Sequence, residues 1–282
     1  MSNVKYPMLV LHLFSIFQDF LLTVLVVPYV MFPAMAGFAK GTLITWKVSY
    51  ITQLYLVVST LCATGVSILV VFENRYYCLF GSTSWSKKRK VYIILNYIFA
   101  FTFFLIACQN VPNQEYGLSE VFKILPCHPP TVYQETIFVF TLDTLYPIVL
   151  ILSVVVMELS QISTFMIVIC IGLTKKYKNL SLRTYSMQKT FMMAMGSQAA
   201  IMFFIFILPD LYFAYSVLNN YHNQALNNLC FILLSFYGFI STITMLIIHK
   251  PYRDFIKCSR MSKSDQIFLT SRHSFRLLTS AV

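Results

Sequence analysis

Three polar residues close an apolar stretch at positions 71–80, whose sequence is VFENRYYCLF. Glu73, Asn74 and Arg75 follow Phe72 directly and precede two tyrosines. At the end of a membrane helix, a long arginine side chain can simply reach the lipid surface, and the triplet is then a passive stop. An acid and an arginine can instead form an ion pair that holds the helix end in one state and releases the arginine in another. The residue types permit either a passive stop or a switch.

A second group of candidates lies at the end of the last apolar run, where residues 245–257 read MLIIHKPYRDFIK. Pro251 ends that run because proline lacks the N–H that a helix interior needs. The next stretch, YRDFIKCSRM, mixes apolar and basic residues, a pattern typical of a short amphipathic helix on a membrane surface. Within it, Cys258 is either a palmitoylation site or an unmodified thiol.

An acidic residue, Asp19, lies near the middle of the first apolar run, in FQDFLL. A carboxylate at the centre of a bilayer is costly unless it is paired or hydrated. We therefore expect Asp19 to form either a polar, sodium-like site or a helix–helix hydrogen bond. The other acids in apolar runs, Asp143, Glu158 and Asp210, are scattered, so their spacing predicts no paired-carboxylate active site.

The composition is that of a membrane protein. Of the 282 residues, 58% are hydrophobic and 11% are charged, and the mean hydropathy is +0.71. A soluble fold of this size would expose too much apolar surface. We find no nucleophile–base pair, no phosphate-binding loop and no metal-ligand spacing among the seven cysteines. The sequence therefore predicts no enzyme activity, no cofactor and no metal site.

Six apolar runs are long enough to cross a bilayer, and they predict an all-α, polytopic transmembrane helix bundle. They are approximately 8–34, 48–72, 91–111, 137–173, 189–217 and 225–249. The fourth is too long for one upright helix and too short for two, so we expect one helix with an extra outer turn or loop. The chain then divides into a transmembrane domain over 1–258 and a basic, disordered cytoplasmic tail over 259–282.

The distribution of basic residues predicts the orientation of these spans. Eighteen of the 21 Lys and Arg residues fall in 73–90, 174–189, the tail from 250, and Lys5. Because cytoplasmic loops carry an excess of Lys and Arg, six spans place both termini in the cytoplasm. The outer loops are then 35–47, 112–136 and 218–224. The net charge of +11 reflects this topology and attraction to anionic lipid, and nucleic-acid binding is not expected.

A ligand pocket would be built from the outer halves of the helices. Pro28, Pro147 and Pro209 fall there, and proline kinks can open a pocket or act as hinges, although passive kinks are the alternative. The pocket candidates are Tyr50, Gln53, Val57, Tyr146, Phe206, Tyr212, Asn228 and Phe231. Alternatively, these eight side chains serve helix packing or form part of an interfacial aromatic belt.

Several stretches together resemble nematode seven-transmembrane chemoreceptors, most closely serpentine receptor class H. They are DFLLTVLVVPYVMFPAMAGF, SILVVFENRYY, PCHPP at 126–130 and TITMLIIHKPYRDF, and the resemblance covers about residues 8 to 258. It implies a rhodopsin-like receptor bundle that binds a small molecule and signals to a heterotrimeric G protein. Glu73-Asn74-Arg75 stands where rhodopsin-like receptors carry an acid-Arg-Tyr motif. His249-Lys250-Pro251-Tyr252 lies near their Asn-Pro-x-x-Tyr motif without matching it. The resemblance thus implies switch residues at Glu73, Asn74, Arg75, Tyr76, His249, Pro251, Tyr252 and Arg253.

The chain departs from that family in its number of spans. Such receptors have seven spans and an extracellular N-terminus, whereas the first span here is similar to their second. We expect either an incomplete gene model or isoform, or a product that is truly short. The predicted function is a G-protein-coupled chemosensory receptor in the plasma membrane of sensory cilia. The alternatives are a six-span transporter or channel, or a truncated receptor product that does not signal.

Overall fold

The computed structural model describes residues 2–81, 83–125, 136–176 and 203–248, together with positions 186, 190, 192–193, 196–197 and 199–201. The long helices are α1 (Ser2–Phe20), α3 (Tyr50–Phe80), α4 (Thr83–Thr102) and α6 (Leu145–Lys176). Shorter helices are α2 (Thr42–Thr45), α5 (Gln114–Ile124), α7 (Leu208–Leu218), α8 (Gln224–Ser235) and α9 (Tyr237–Ile248). Single π-helical turns at Leu21–Leu25 and Phe203–Ile207 follow α1 and precede α7. Two 3-10 turns, Phe103–Leu105 and Ala107–Gln109, extend α4.

Five helical segments of the described chain are long and apolar enough to cross a membrane. They are Tyr6–Leu25, Tyr50–Phe80, Thr83–Gln109, Leu145–Lys175 and Ala199–Leu218. A sixth span results if α8 and α9, which meet at a bend of 42°, are counted as one. The prediction of a polytopic helical membrane bundle is confirmed.

The helices α3, α4 and α6 alternate in direction, and α3 lies at the centre of the bundle. It runs antiparallel to α4, since Tyr55 Oη donates to the carbonyl of Phe101 at 2.7 Å while Ser67 meets Tyr97 nearer the middle of both helices. It runs parallel to α6, because Cys62 contacts Glu158 and Tyr76 contacts Phe165 further along both helices. The central position of α3 is visible in its burial, which is the highest of the candidate spans.

A three-stranded antiparallel sheet covers the end of the bundle where α3 and α6 begin. Its order is β1 (Pro28–Val30), β2 (Met35–Ala39) and β3 (Phe138–Thr141), with Tyr29 paired to Phe38 and Gly37 to Phe138. A Cβ on Gly37 would overlap the carbonyl oxygen of Tyr29, so the close strand pairing requires glycine here. We call this end of the bundle the sheet end.

The sheet corrects the predicted limits of two spans. The first was expected to continue to residue 34, but its helix ends at Leu25 and Pro28 begins a strand. A proline is tolerated at the start of a strand and would remove a hydrogen bond from a helix interior. The extra segment predicted before the fourth helix takes the form of β3, and α6 starts at Leu145.

The other two prolines lie near helix starts. Pro147 is the third residue of α6, where its missing N–H would have no intrahelical partner. Pro209 is in the first turn of α7, directly after the π-helical turn Phe203–Ile207. The π-helical turn changes the hydrogen bonding at the point where Pro209 lacks a donor, so Pro209 coincides with a real distortion of its span.

Candidate functional site: a cavity near the sheet end and a charged cluster at the opposite end

A cavity of about 260 Å³ lies inside the bundle, beneath the sheet. Its walls come from β1, β2, β3, α3, α6, α7 and α8, and they are mainly aromatic and aliphatic. Five of the predicted pocket residues line it: Tyr50, Gln53, Val57, Phe206 and Phe231. A mainly apolar space with a few polar groups is typical of a small-molecule site. Ligand binding by these residues stays a prediction.

Three predicted pocket residues are placed elsewhere. Tyr146 is exposed on the outside of α6. Tyr212 donates its hydroxyl to Asn227 Oδ1 at 2.8 Å, and Asn228 Oδ1 accepts from Gln224 Nε2 at 2.9 Å. Helical spacing alone did not separate these side chains from those that face the cavity, because the inward face depends on how neighbouring helices are rotated.

Besides Tyr50, three oxygen-bearing side chains line the cavity. Gln53 is 1% exposed and its Nε2 donates to the carbonyl of Val48 at 2.9 Å, while its Oε1 has no hydrogen-bond partner among the described residues. Glu158 is 5% exposed and also lines the cavity. Asp210, from the first turn of α7, is the third.

Glu158 is held against α3. The thiol of Cys62 donates to Glu158 Oε1 at 2.9 Å. A Cβ on Gly65 would overlap the same carboxylate, so the glycine provides the space that lets it approach the α3 backbone. Glu158 therefore packs against protein.

A charged cluster lies at the other end of α3, where the chain turns into α4. The carboxylate of Glu73 is fully buried and accepts from Arg89 Nη2 at 2.8 Å and from Trp85 Nε1 at 2.7 Å. Asn74 Oδ1 accepts from the same Arg89 nitrogen at 3.0 Å. We call Glu73, Asn74, Trp85 and Arg89 the Glu73 cluster.

Aromatic rings enclose the Glu73 cluster and connect it to α6. The guanidinium carbon of Arg89 lies 4.2 Å from the centroid of the Tyr77 ring, a cation–π distance. Trp85 and Tyr76 each contact Phe165 of α6, with ring centroids 6.2 Å and 5.6 Å apart. Tyr92 of α4 donates its hydroxyl to Gln161 Oε1 of α6 at 2.5 Å. The cluster therefore joins α3, α4 and α6.

This geometry changes the partner in the predicted ion pair. The carboxylate of Glu73 pairs with Arg89 of the next helix, and its described contacts do not include Arg75. Arg75 is partly buried two residues along α3. Side chains two positions apart on a helix point to different faces, so one carboxylate is poorly placed to serve both neighbours. The predicted switch residues His249, Pro251, Tyr252 and Arg253, and Cys258, lie outside the described residues.

Sequence reasoning missed Trp85 and Arg89, because the basic run at 87–90 was interpreted only as a topology signal. Their spacing did contain information. Trp85, Arg89 and Tyr92 follow one another at intervals of four and three, which places them on one face of a helix. That face meets the end of α3 in the structure.

Asp19 caps a helix. Its two carboxylate oxygens accept from the backbone N–H groups of Gly238 and Phe239, each at 3.1 Å. These amides are in the first turn of α9, where no intrahelical acceptor is available. A Cβ on Gly238 would overlap the carboxylate. Of the two alternatives for Asp19, the structure shows the helix–helix hydrogen bond.

The fold and the site define a polytopic helical membrane protein with an internal cavity near one end. Residues 1–261 match the family described as serpentine type 7TM GPCR chemoreceptor Srh, and the chain belongs to this family. It is also similar to serpentine receptor class H-72 of Caenorhabditis elegans, with 21% identity over 285 aligned positions that cover 97% of this chain and 78% of that receptor. The resemblance to nematode class H receptors is thereby confirmed, and the protein is an integral membrane protein of a chemoreceptor family.

Proposed function

We propose that the protein is a chemosensory receptor that binds an external small molecule in the cavity and activates a heterotrimeric G protein at the opposite end. The observation that carries this proposal is that α3 and α6 each contribute to both places. On α3, Gln53 lines the cavity and Glu73 belongs to the Glu73 cluster. On α6, Glu158 lines the cavity and Phe165 contacts the aromatic rings around the cluster. Gln53 and Glu73 are separated by 20 positions, or about 30 Å of helix.

The charge distribution supports an orientation with the sheet end outside the cell. Lys40 directly follows β2 and Lys123 is on α5, so both lie beside the sheet. Lys87, Lys88 and Lys175 lie at the end of the bundle opposite the sheet. By the positive-inside rule, the end with more Lys and Arg faces the cytoplasm. Both chain termini are then cytoplasmic, and the plasma membrane of sensory cilia is the expected location.

In this proposal, ligand binding shifts the π-distorted segment before α7 and the adjacent part of α6. The movement is transmitted to Phe165, which packs on Trp85 and Tyr76, and the Glu73–Arg89 pair opens. Arg75, the 174–189 loop and the 250–258 segment would border the cleft that receives the G protein. A ligand achieves this only if it binds the open state more tightly than the closed one.

Heterologous cells that express the receptor with a G-protein reporter test this function. A library of small volatile and water-soluble compounds is applied to the wild type, to Arg75→Ala and to a charge-matched control, Lys88→Ala, at an exposed position of α4. We expect at least one compound to activate the wild type and the control but not Arg75→Ala. Solute or ion flux that accompanies no G-protein activation would overturn the proposal and favour a transporter or channel.

A further inference from the structure

We infer that the ligand of the cavity is a small primary or secondary amine with an apolar body, and that Asp210 is the carboxylate that binds its ammonium group. The inference rests on the proposed function, in which this cavity is the ligand site. It adds the chemical class of the ligand and the residue that selects it.

Three polar side chains of the described cavity lining carry acceptor oxygens: Gln53, Glu158 and Asp210. Gln53 is more than nine-tenths buried and lines the cavity, and its Oε1 has no hydrogen-bond partner among the described residues. A buried acceptor without a partner costs free energy, and a ligand that donates an N–H would remove that cost. Asp210 and Glu158 add carboxylate oxygens to the same lining. A ligand that donates hydrogen bonds complements these oxygens.

The charge of the cavity is also one-sided. Its described lining includes two acidic residues and no Lys, Arg or His. In a low-dielectric interior, an unpaired carboxylate is strongly unfavourable, and a cation placed beside it gains correspondingly. A ligand with a protonated amine supplies that cation, whereas an anionic ligand would find no Lys, Arg or His among the described lining residues.

Asp210 is better placed than Glu158 to bind this cation. Glu158 already accepts a hydrogen bond from Cys62, whereas no hydrogen bond or ion pair joins Asp210 to another described residue. Phe206 and Phe213 lie within one helical turn of Asp210 on either side, and both line the cavity. Aromatic faces next to a carboxylate favour an ammonium group and its apolar substituents together.

The aromatic wall defines the shape of the apolar part. Phe213 stacks on Phe32 at 4.4 Å between ring centroids and contacts Phe231 at 5.5 Å. All three line the cavity. Its volume of about 260 Å³ is sufficient for a molecule of roughly one ring or a six-carbon chain plus the amine.

The test uses matched amine and alcohol pairs with the purified full-length receptor in lipid nanodiscs. The probes are 2-phenylethylamine with 2-phenylethanol, hexylamine with 1-hexanol, and cyclohexylmethylamine with cyclohexylmethanol. Thermal unfolding is followed with a thiol-reactive dye, since Cys62 and Cys230 are buried and become reactive on unfolding. We expect at least one amine to raise the unfolding temperature, while its alcohol has little effect.

Two substitutions of Asp210 and one control locate the effect. Asp210→Asn should weaken binding of the active amine at least tenfold, and Asp210→Glu should restore most of it. The control Asp143→Asn makes the same chemical change at an exposed acid outside the cavity, where Asp143 Oδ1 caps α6 through the N–H of Tyr146 at 3.3 Å. It should leave amine binding unchanged.

Three results would overturn the inference: alcohols that stabilise as well as amines, a full amine effect in Asp210→Asn, or no effect of any amine on the wild type. These failures are distinguishable from failure of the proposed function. Neutral compounds that activate the G protein through Arg75 would leave that function intact and refute only the amine. Amine binding that requires Asp210 but evokes no G-protein response would support the ligand class and contradict the receptor's signalling role.

Discussion

Replacing Glu73 by glutamine should activate the receptor without a ligand. The glutamine can keep the acceptor for Trp85 Nε1, but its amide nitrogen faces the Arg89 guanidinium in place of a carboxylate oxygen. The substitution therefore removes a hydrogen bond between two charged groups at 2.8 Å. If that pair exists only in the resting state, its loss favours the active state.

The size of the effect follows from the burial of the pair. Hydrogen bonds to charged groups are worth about 1.5–3 kcal/mol. The Glu73 side chain is fully buried and Arg89 is 20% exposed, so water recovers part of the loss and a value of about 1.5–2 kcal/mol is expected. This changes the resting-to-active equilibrium roughly ten- to thirtyfold. A receptor that is active about 1% of the time would become active about 10–25% of the time.

The assay is basal GTPγS binding to membranes that contain equal surface amounts of each receptor and a co-expressed G protein. Glu120→Gln is the matched control, because it breaks the exposed Glu120–Lys123 pair at 2.6 Å on α5. Exposed pairs contribute little, so this control should behave as the wild type. Unchanged basal activity in Glu73→Gln, together with a lower unfolding temperature, would show that the pair stabilises both states equally and would refute the switch.

Three further predictions concern single residues. Asp19→Ala removes the cap on the first turn of α9 and should lower the free energy of unfolding by about 1–2 kcal/mol, with partial recovery in Asp19→Asn, as measured by thermal unfolding. Gly65→Ala should cost about 1–3 kcal/mol because its Cβ overlaps the Glu158 carboxylate, and adding Glu158→Ala should suppress most of that cost. Arg75→Ala should abolish ligand-driven signalling at unchanged surface expression. Normal signalling in that variant would show that Arg75 is not needed for G-protein activation.

The membrane spans were predictable because a long apolar run that crosses a bilayer forms a helix. The ends of the spans were less predictable, since the first apolar run continues through Leu25 into Pro28 and beyond without a change in hydropathy. Helix and strand differ there in backbone hydrogen bonding, and Pro28 was the local sign of the change. The partner strand β3 lies about 100 residues away, so the sheet itself was not visible in any short window.

The cavity and the Glu73 cluster differ in how much of each could be predicted from the sequence. Glu73 was identifiable from its position at the end of an apolar helix, but its partner Arg89 was concealed in a basic run. Glu158 was identifiable as an acid in an apolar helix, whereas its contact with Cys62 joins positions 96 residues apart. Which side chains meet across two helices depends on how each helix is rotated about its axis. The periodicity of a single sequence leaves that rotation uncertain by tens of degrees.

The dissociation constant of an activating compound, measured for the wild type and for Glu73→Gln, tests the central claim most directly. If the cavity and the Glu73 cluster belong to one two-state equilibrium, a substitution that populates the active state must also strengthen agonist binding about 30 Å away. We predict that the dissociation constant falls roughly ten- to twenty-fivefold in Glu73→Gln. An unchanged dissociation constant alongside raised basal signalling would show that the two ends of the bundle are not coupled.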